Sequence, residues 1–371
     1  MVTYSKQISD KHKVDITLLG SRENRKFTTT SLRTTGFDIE SSGFNLPSLG
    51  INQTVNAGSA ASQNRLAYMA RAIYSYNNRY IVTATVRRDG FSAFATNNKT
   101  ATFPSLSLAW VASDETFLKD VSWIDFLKAR VSYGINGNDG IPRYASFATV
   151  EVGSTVLGNS VYTHYRPNAL GNPDLKWETT SSLNFGIDFD LFKERLTGSI
   201  DVYSSKTKDV IVRRNLPRAT GFVNILTNVG EVENSGQEIS LKSTNVKTGD
   251  LTWTTTLVFS RNRNKLTKLL GGENDQDIGN EWFTGEPINS IYGYDMPGEV
   301  YTEAEFFAGN TPAKFFPGHF KVTDIKTSEG NNLYNADDDR KILGYDDPNY
   351  RFGITNVVTY KNFTFSMFIN S

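Results

Sequence analysis

Residues 172–212, NPDLKWETTSSLNFGIDFDLFKERLTGSIDVYSSKTKDVIV, hold two long runs of period-two alternation around a tight polar turn. Leu183, Phe185, Ile187, Phe189 and Leu191 share one face of the first run, and Ser182, Asn184, Gly186, Asp188 and Asp190 share the other. Period two is the spacing of a strand with one apolar and one polar face. Lys193-Glu194-Arg195 is the turn; Leu196, Ile200 and Val202 then alternate against Thr197, Ser199 and Asp201, with Tyr203 out of pattern. A slip of one residue would exchange every side chain between faces, so the register is strongly specified.

The rest of the chain repeats this hairpin with changed connections. Alternation predicts strands over 2–8, 14–20, 66–76, 80–88, 103–112, 127–133, 238–243, 251–261, 350–360 and 363–369. The Thr-, Ser-, Gly- and Asn-rich stretch 23–64 reads as a loop, as do 134–176, 209–232 and 262–349. Residues 113–126 read as a connector with a helical turn. Short and long connections therefore take turns along an antiparallel all-β chain. Compact soluble domains rarely carry several structureless loops above about 15 residues. Transmembrane barrels put tight turns on one rim and long loops on the other, with an even strand number; about twelve strands are expected here.

Composition narrows the function classes. Lys plus Arg is 39 and Asp plus Glu is 39 in 371 residues, so no basic excess exists to grip nucleic acid. Cysteine is absent, which removes disulfides and thiolate chemistry. No basic segment followed by an apolar run opens the chain, so no signal peptide is read. No apolar run approaches the roughly 18 residues of a membrane helix. The negative mean hydropathy does not exclude a membrane barrel, because half of each barrel strand faces a polar lumen.

The motif order resembles the C-terminal barrel half of the SusC/RagA family of TonB-dependent (TonB-linked) outer-membrane transporters. The matching pieces are RRDGFSAF with TFPSLSLAW, LKARVSYGINGN, NPDLKWETT with LNFGIDFDLFKERLTGSIDVY, LPRATGF, NVGEVENSGQEISL, and YRFGITNVVTYKNFTFS. The resemblance implies a single-chain barrel of about 22 strands around an N-terminal plug. It implies uptake of glycans, oligosaccharides or peptides across a Bacteroidota-type Gram-negative outer membrane, as an integral multi-pass barrel in contact with lipid. A SusD-like surface lipoprotein would close over the top, and the TonB–ExbB–ExbD complex would act through an N-terminal part. Residues 1–371 are then expected to be a partial TonB-dependent receptor β-barrel domain, without signal peptide, TonB box, plug or terminal barrel strands, and inactive alone. The implied protein is not an enzyme and needs no cofactor. A soluble all-β carbohydrate-binding or adhesin domain would show the same alternation with the apolar face inward. A β-rich hydrolase would need an acid–base constellation, and none stands out.

Single motifs carry finer expectations. Trp177, in KWET, reads as an interfacial anchor in an aromatic girdle rather than as packing beneath a loop. The acidic run 335–340, NADDDR, lacks the spacing of a calcium loop and reads as solvated. His12, His164 and His319 lie far apart in turns or loops and form no metal-ligand pair. Asp188 and Asp190 lie on one strand face and read as lumen-facing polar residues. Trp282, Phe283, Tyr292 and Tyr294, in the longest loop, are the candidate ligand or partner contacts, by stacking on sugar rings or packing on the lid protein; self-packing of the loop is the competing reading.

Overall fold

The structure is a computed structural model describing residues 1–38, 45–269, 275–311, 315–325 and 339–371, with only the backbone of 55–57. The first strands are β1 (Val2–Ser9), β2 (His12–Thr35), β3 (Asn52–Tyr76), β4 (Tyr80–Phe91), β5 (Thr100–Val111) and β6 (Ile124–Asn138). A long connection carries β7 (Val150–Leu157), β8 (Ser160–Pro167) and β9 (Ala169–Leu170). The hairpin β10 (Glu178–Leu191) and β11 (Leu196–Lys208) follows, then β12 (Ile211–Asn215) and β13 (Asn224–Asn228). After β14 (Glu231–Thr248) and β15 (Leu251–Lys268) come β16 (Gln276–Asp277), β17 (Trp282–Phe283), β18 (Ser290–Tyr294), the short helix α1 (Glu303–Phe307) and β19 (Arg340–Tyr345). The chain closes on β20 (Arg351–Tyr360) and β21 (Phe363–Asn370).

Twelve strands join in one antiparallel sheet, in the order β1-β2-β3-β4-β5-β6-β10-β11-β14-β15-β20-β21. Chain neighbours are sheet neighbours, as expected of hairpins strung together. The chain divides into two compact units: 1–114 with 129–183 and 207–229, and 115–128 with 184–206 and 230–371.

In the first unit, register shows how each face is built. Tyr4, Ile16, Ala72, Ala84 and Leu106 form one row across β1 to β5, and Val2, Leu18, Ala70, Val86 and Pro104 form the next. At the short-turn end the row is His12, Tyr76, Tyr80 and Trp110, with Tyr76 and Tyr80 stacked at 6.3 Å. At the other end Tyr68 stands on the same face. Tyr68 and Tyr76 are eight residues apart, about 27 Å along a strand, and a tilt near 40° brings that to about 20 Å of height. The belt is exposed: Leu18, Tyr68 and Leu106 are about half accessible. The opposite face carries paired charges, with Lys13 Nζ 3.3 Å from Asp15 and Arg87 Nε 2.7 Å from Asp89. The alternation read from sequence is thus present, with its apolar half exposed.

The stretch 23–64 corrects the sequence reading. Most of it is strand: β2 and β3 stay paired from Glu23↔Arg65 to Thr35↔Asn52, with a bulge after Thr29, and only residues 36–51 connect them. Beyond the belt both faces are exposed and polar, so nothing demands alternation there. Threonine nonetheless favours the strand backbone. The signal used to find strands fades while the ladder continues.

Turn chemistry fixes the short connections. Asn77 and Asn78 have φ of 53° and 54°, a left-handed pair that asparagine tolerates. Phe192, Lys193 and Glu194 are also left-handed, at 59°, 63° and 59°. Each such residue costs on the order of 1 kcal/mol. The turn is held from outside: Glu194 N donates to Asp125 Oδ2 at 3.0 Å, Phe192 N to the Trp123 carbonyl at 2.8 Å, and the Trp123 and Phe192 rings stack at 5.9 Å. Tyr203, out of pattern in sequence, lies over Gly236, where an added Cβ would sit 2.5 Å from its hydroxyl, and donates to Asn262 Oδ1 at 3.1 Å.

The buried core of the first unit is small and made where loops meet the ends of β4 and β5. Phe91, Phe94, Phe103, Leu175 and Trp177 pack together, with Phe94 stacked on Trp177 at 4.7 Å and Phe103 edge-on to it at 5.7 Å. RRDGFSAF and NPDLKWET thus meet in space. Trp177 is 6% exposed, so it is no interfacial anchor: it packs beneath a loop, because the neighbouring backbone is clamped. Lys176 N donates to Asn228 Oδ1 at 2.9 Å, Asn228 Nδ2 donates back to the Lys176 carbonyl at 2.7 Å, and Glu178 accepts from Ile211 N at 2.6 Å.

Candidate ligand and partner contact site

The four aromatic candidates lie in the connection between β15 and β20, within the second unit. Two small ladders position them. In the first, Gln276 pairs Phe283 and Asp277 pairs Trp282; Asp277 caps the turn by accepting from Asn280 N at 3.1 Å and Asn280 Nδ2 at 2.8 Å. In the second, Tyr292 pairs Ile342 and Tyr294 pairs Arg340, with a bulge between Ile291 and Tyr292. The loop is moored to β15: Leu266 N donates to the Glu286 carbonyl at 2.8 Å and Ile288 N to Asn264 Oδ1 at 2.8 Å.

These ladders bring two of the four rings to one cation, and a third against the first of them. Phe283 and Tyr292 are tilted against each other at 4.6 Å. The Arg340 guanidinium lies 5.2 Å from the Tyr292 centroid and 5.9 Å from that of Tyr294. Trp282, on the neighbouring position of its short strand, is half-buried like the others. Arg340 was not singled out from sequence; its place opposite Tyr294 in a ladder joining segments 46 positions apart left no local signal. Around the rings, Lys341 Nζ is 2.6 Å from Asp295 and Tyr345 donates to Glu286 Oε2 at 2.8 Å. That bond to a carboxylate raises the Tyr345 phenol above its ordinary pKa. At α1, Glu305 accepts from Lys321 Nζ at 2.8 Å and from Thr302 N and Oγ1, and this company lowers its carboxyl to about 2.

The arrangement suits non-covalent recognition: flat amphipathic rings beside fixed charges. Among the described residues no group of three His, Asp or Glu could hold a metal. His12 opens β2 and bonds the Tyr74 hydroxyl at 2.7 Å, rather than lying in a turn, while His319 packs between Phe315 and Phe316. Asp188 pairs with Lys128 at 3.5 Å, in keeping with a polar sheet face. Of the acidic run 335–340, residues 335–338 lie outside the described residues. Asp339 is buried at 1% exposure and accepts from Ile325 N at 2.8 Å, so at that position the solvated reading is corrected.

Sequential hairpins in one antiparallel sheet with an exposed apolar face are the construction of a membrane-barrel wall. The chain belongs to the TonB-dependent receptor-like β-barrel family, whose model matches residues 3–360. It is 37% identical over 318 residues to TonB-dependent receptor P3 of Formosa agariphila, covering 82% of this chain and 31% of that protein. It is 33% identical over 324 residues to TonB-dependent receptor SusC of Bacteroides thetaiotaomicron, again 82% of this chain and 31% of the relative. The RagAB peptide importer in its closed-closed state superposes with a TM-score of 0.76 at 25% identity, over 99% of this chain and 40% of that one. The chain spans about a third of the length of these curated relatives. Membership places the sheet in the outer membrane and sets aside the soluble adhesin and hydrolase readings; the chain is not an enzyme. No helix among the described residues is long and apolar enough to cross a membrane, which says nothing of a barrel that crosses with strands.

Proposed function

We propose that this chain forms part of the wall of an importer that takes oligosaccharides or peptides across the outer membrane. A SusD-like lipoprotein serves as its lid, and TonB–ExbB–ExbD as its energy source. Likeness to a peptide importer supports the peptide class; the oligosaccharide class rests on the family resemblance read in the sequence. Phe283, Tyr292 and Tyr294, with Arg340, touch the cargo or the lid, and Trp282 stands beside them. The supporting observation is the half-exposed ring cluster held rigidly by two ladders and a shared cation. Rings preorganised in this way lose little freedom on binding.

Tyr292→Ala and Arg340→Ala in the receptor as it stands in the outer membrane test this. Titration with oligosaccharide and oligopeptide series, alongside quantification of the lipoprotein that co-purifies, should show a loss of roughly tenfold in one of the two. Unchanged cargo affinity together with unchanged lipoprotein retention would reduce the cluster to loop packing.

A further inference from the structure

The belt face of β1–β5 changes character at Tyr68. Toward the short turns it carries Ile16, Leu18, Ala70, Val86 and Leu106, with Lys6 on the edge strand β1 as its single cation; toward the long connections it carries Arg22, Lys26 and Arg88, all exposed, with Lys99 beside them. These five strands hold three carboxylates, Asp15, Glu23 and Asp89, and all three alternate to the opposite face, where they pair with Lys13, Arg25 and Arg87. Among the described residues no ion pair joins a carboxylate to Arg22, Lys26, Arg88 or Lys99, which lie level with Tyr68 or beyond it. The carboxylates of these strands are thus confined to one face, and the other face carries cations without them.

The positive stretch is also hollow. Gly20, Arg22, Leu66, Tyr68, Gly90 and Lys99 line a groove of about 700 Å³. Gly20 faces Tyr68 and Gly90 faces Leu66 in register, so the missing side chains make the depression. Arg88 reaches its rim, donating to Thr100 Oγ1 at 3.3 Å. Cations clustered where an apolar belt ends stand at headgroup depth, and guanidinium forks suit phosphate oxygens.

We propose that this groove holds the phosphorylated headgroup of an outer-leaflet lipid, whose acyl chains lie on the belt below. Continuity with the lipid-covered belt selects a lipid as the source of the phosphate. The proposal rests on that belt meeting lipid.

The test uses the intact receptor in nanodiscs containing phosphorylated outer-leaflet glycolipid or, as the other arm, phosphatidylcholine alone, read by native mass spectrometry of retained lipid. The triple variant Arg22→Gln, Arg88→Gln, Lys99→Gln should weaken retention of the phosphorylated lipid roughly 100-fold. The charge-keeping pair Arg22→Lys, Arg88→Lys should retain most of it and guards against a folding defect. Arg71→Gln, on the opposite face beside Thr85, should change nothing. Equal retention by the triple variant overturns the proposal. So does displacement by millimolar inorganic phosphate, which marks a simple anion site, or loss of a bound protein in place of lipid. A spin label at Leu106→Cys reports the belt separately: oxygen-accessible without headgroup selectivity defeats this proposal alone, whereas an inaccessible label defeats the face assignment beneath it.

Discussion

Two aromatic clusters, one in each unit, look alike in composition and differ in burial. Around Trp177 the rings are sealed: Phe94 and Leu175 have no accessible surface and Trp177 keeps 6%. Around Tyr292 the rings stay partly exposed, and Tyr292 and Tyr294 share a guanidinium. The first cluster ties loop to strand and is part of what folds. The second spends its rings on a surface where something else can displace water. Aromatic content alone does not separate binding from packing; what closes over the rings does.

Substitutions sharpen that contrast. Trp177→Ala should show the largest effect, about 3–5 kcal/mol of lost stability, by denaturant unfolding of the receptor in detergent. A loss below 1 kcal/mol would erase the distinction. Gly137→Val comes next: a Cβ there would lie 2.0 Å from Phe103 Cζ, and the resulting overpacking should cost about 1–3 kcal/mol. Tyr292→Ala should leave unfolding nearly unchanged while costing about tenfold in cargo or lid binding. A variant that unfolds like Trp177→Ala would make the second cluster structural too.

The smallest effect is pH-dependent. The Glu305 carboxyl is lowered to about 2 against 4.5 unperturbed. Its depressed value means the contact with Lys321 contributes fully above pH 4.5 and is lost as pH falls toward 2. Hydrogen exchange at α1 should keep its protection at pH 5 and lose it below pH 3. Loss already complete at pH 4.5 would contradict the pairing.

Strand positions and faces were legible in sequence wherever lipid imposes alternation, as at Tyr80 to Val86 or Leu183 to Leu191. Beyond the belt the imposed pattern ends, which is why residues 23–35 and 52–64 read as loop and fold as strand. Trp177 misled because its position next to a strand start fits an anchor equally well; its burial depends on Phe94, 83 positions away. Arg340 left no local signal for the same reason. Phe283 and Tyr292 were found as residue types, but their contact required the fold.

What covers the even-numbered face of β5 decides whether this sheet meets lipid. Spin labels at Pro104→Cys through Trp110→Cys, one at a time, in the receptor in lipid, measure this directly by oxygen accessibility. The prediction is a period-two profile with maxima at 104, 106, 108 and 110. Minima at those positions, as for side chains sealed inside protein, would contradict it.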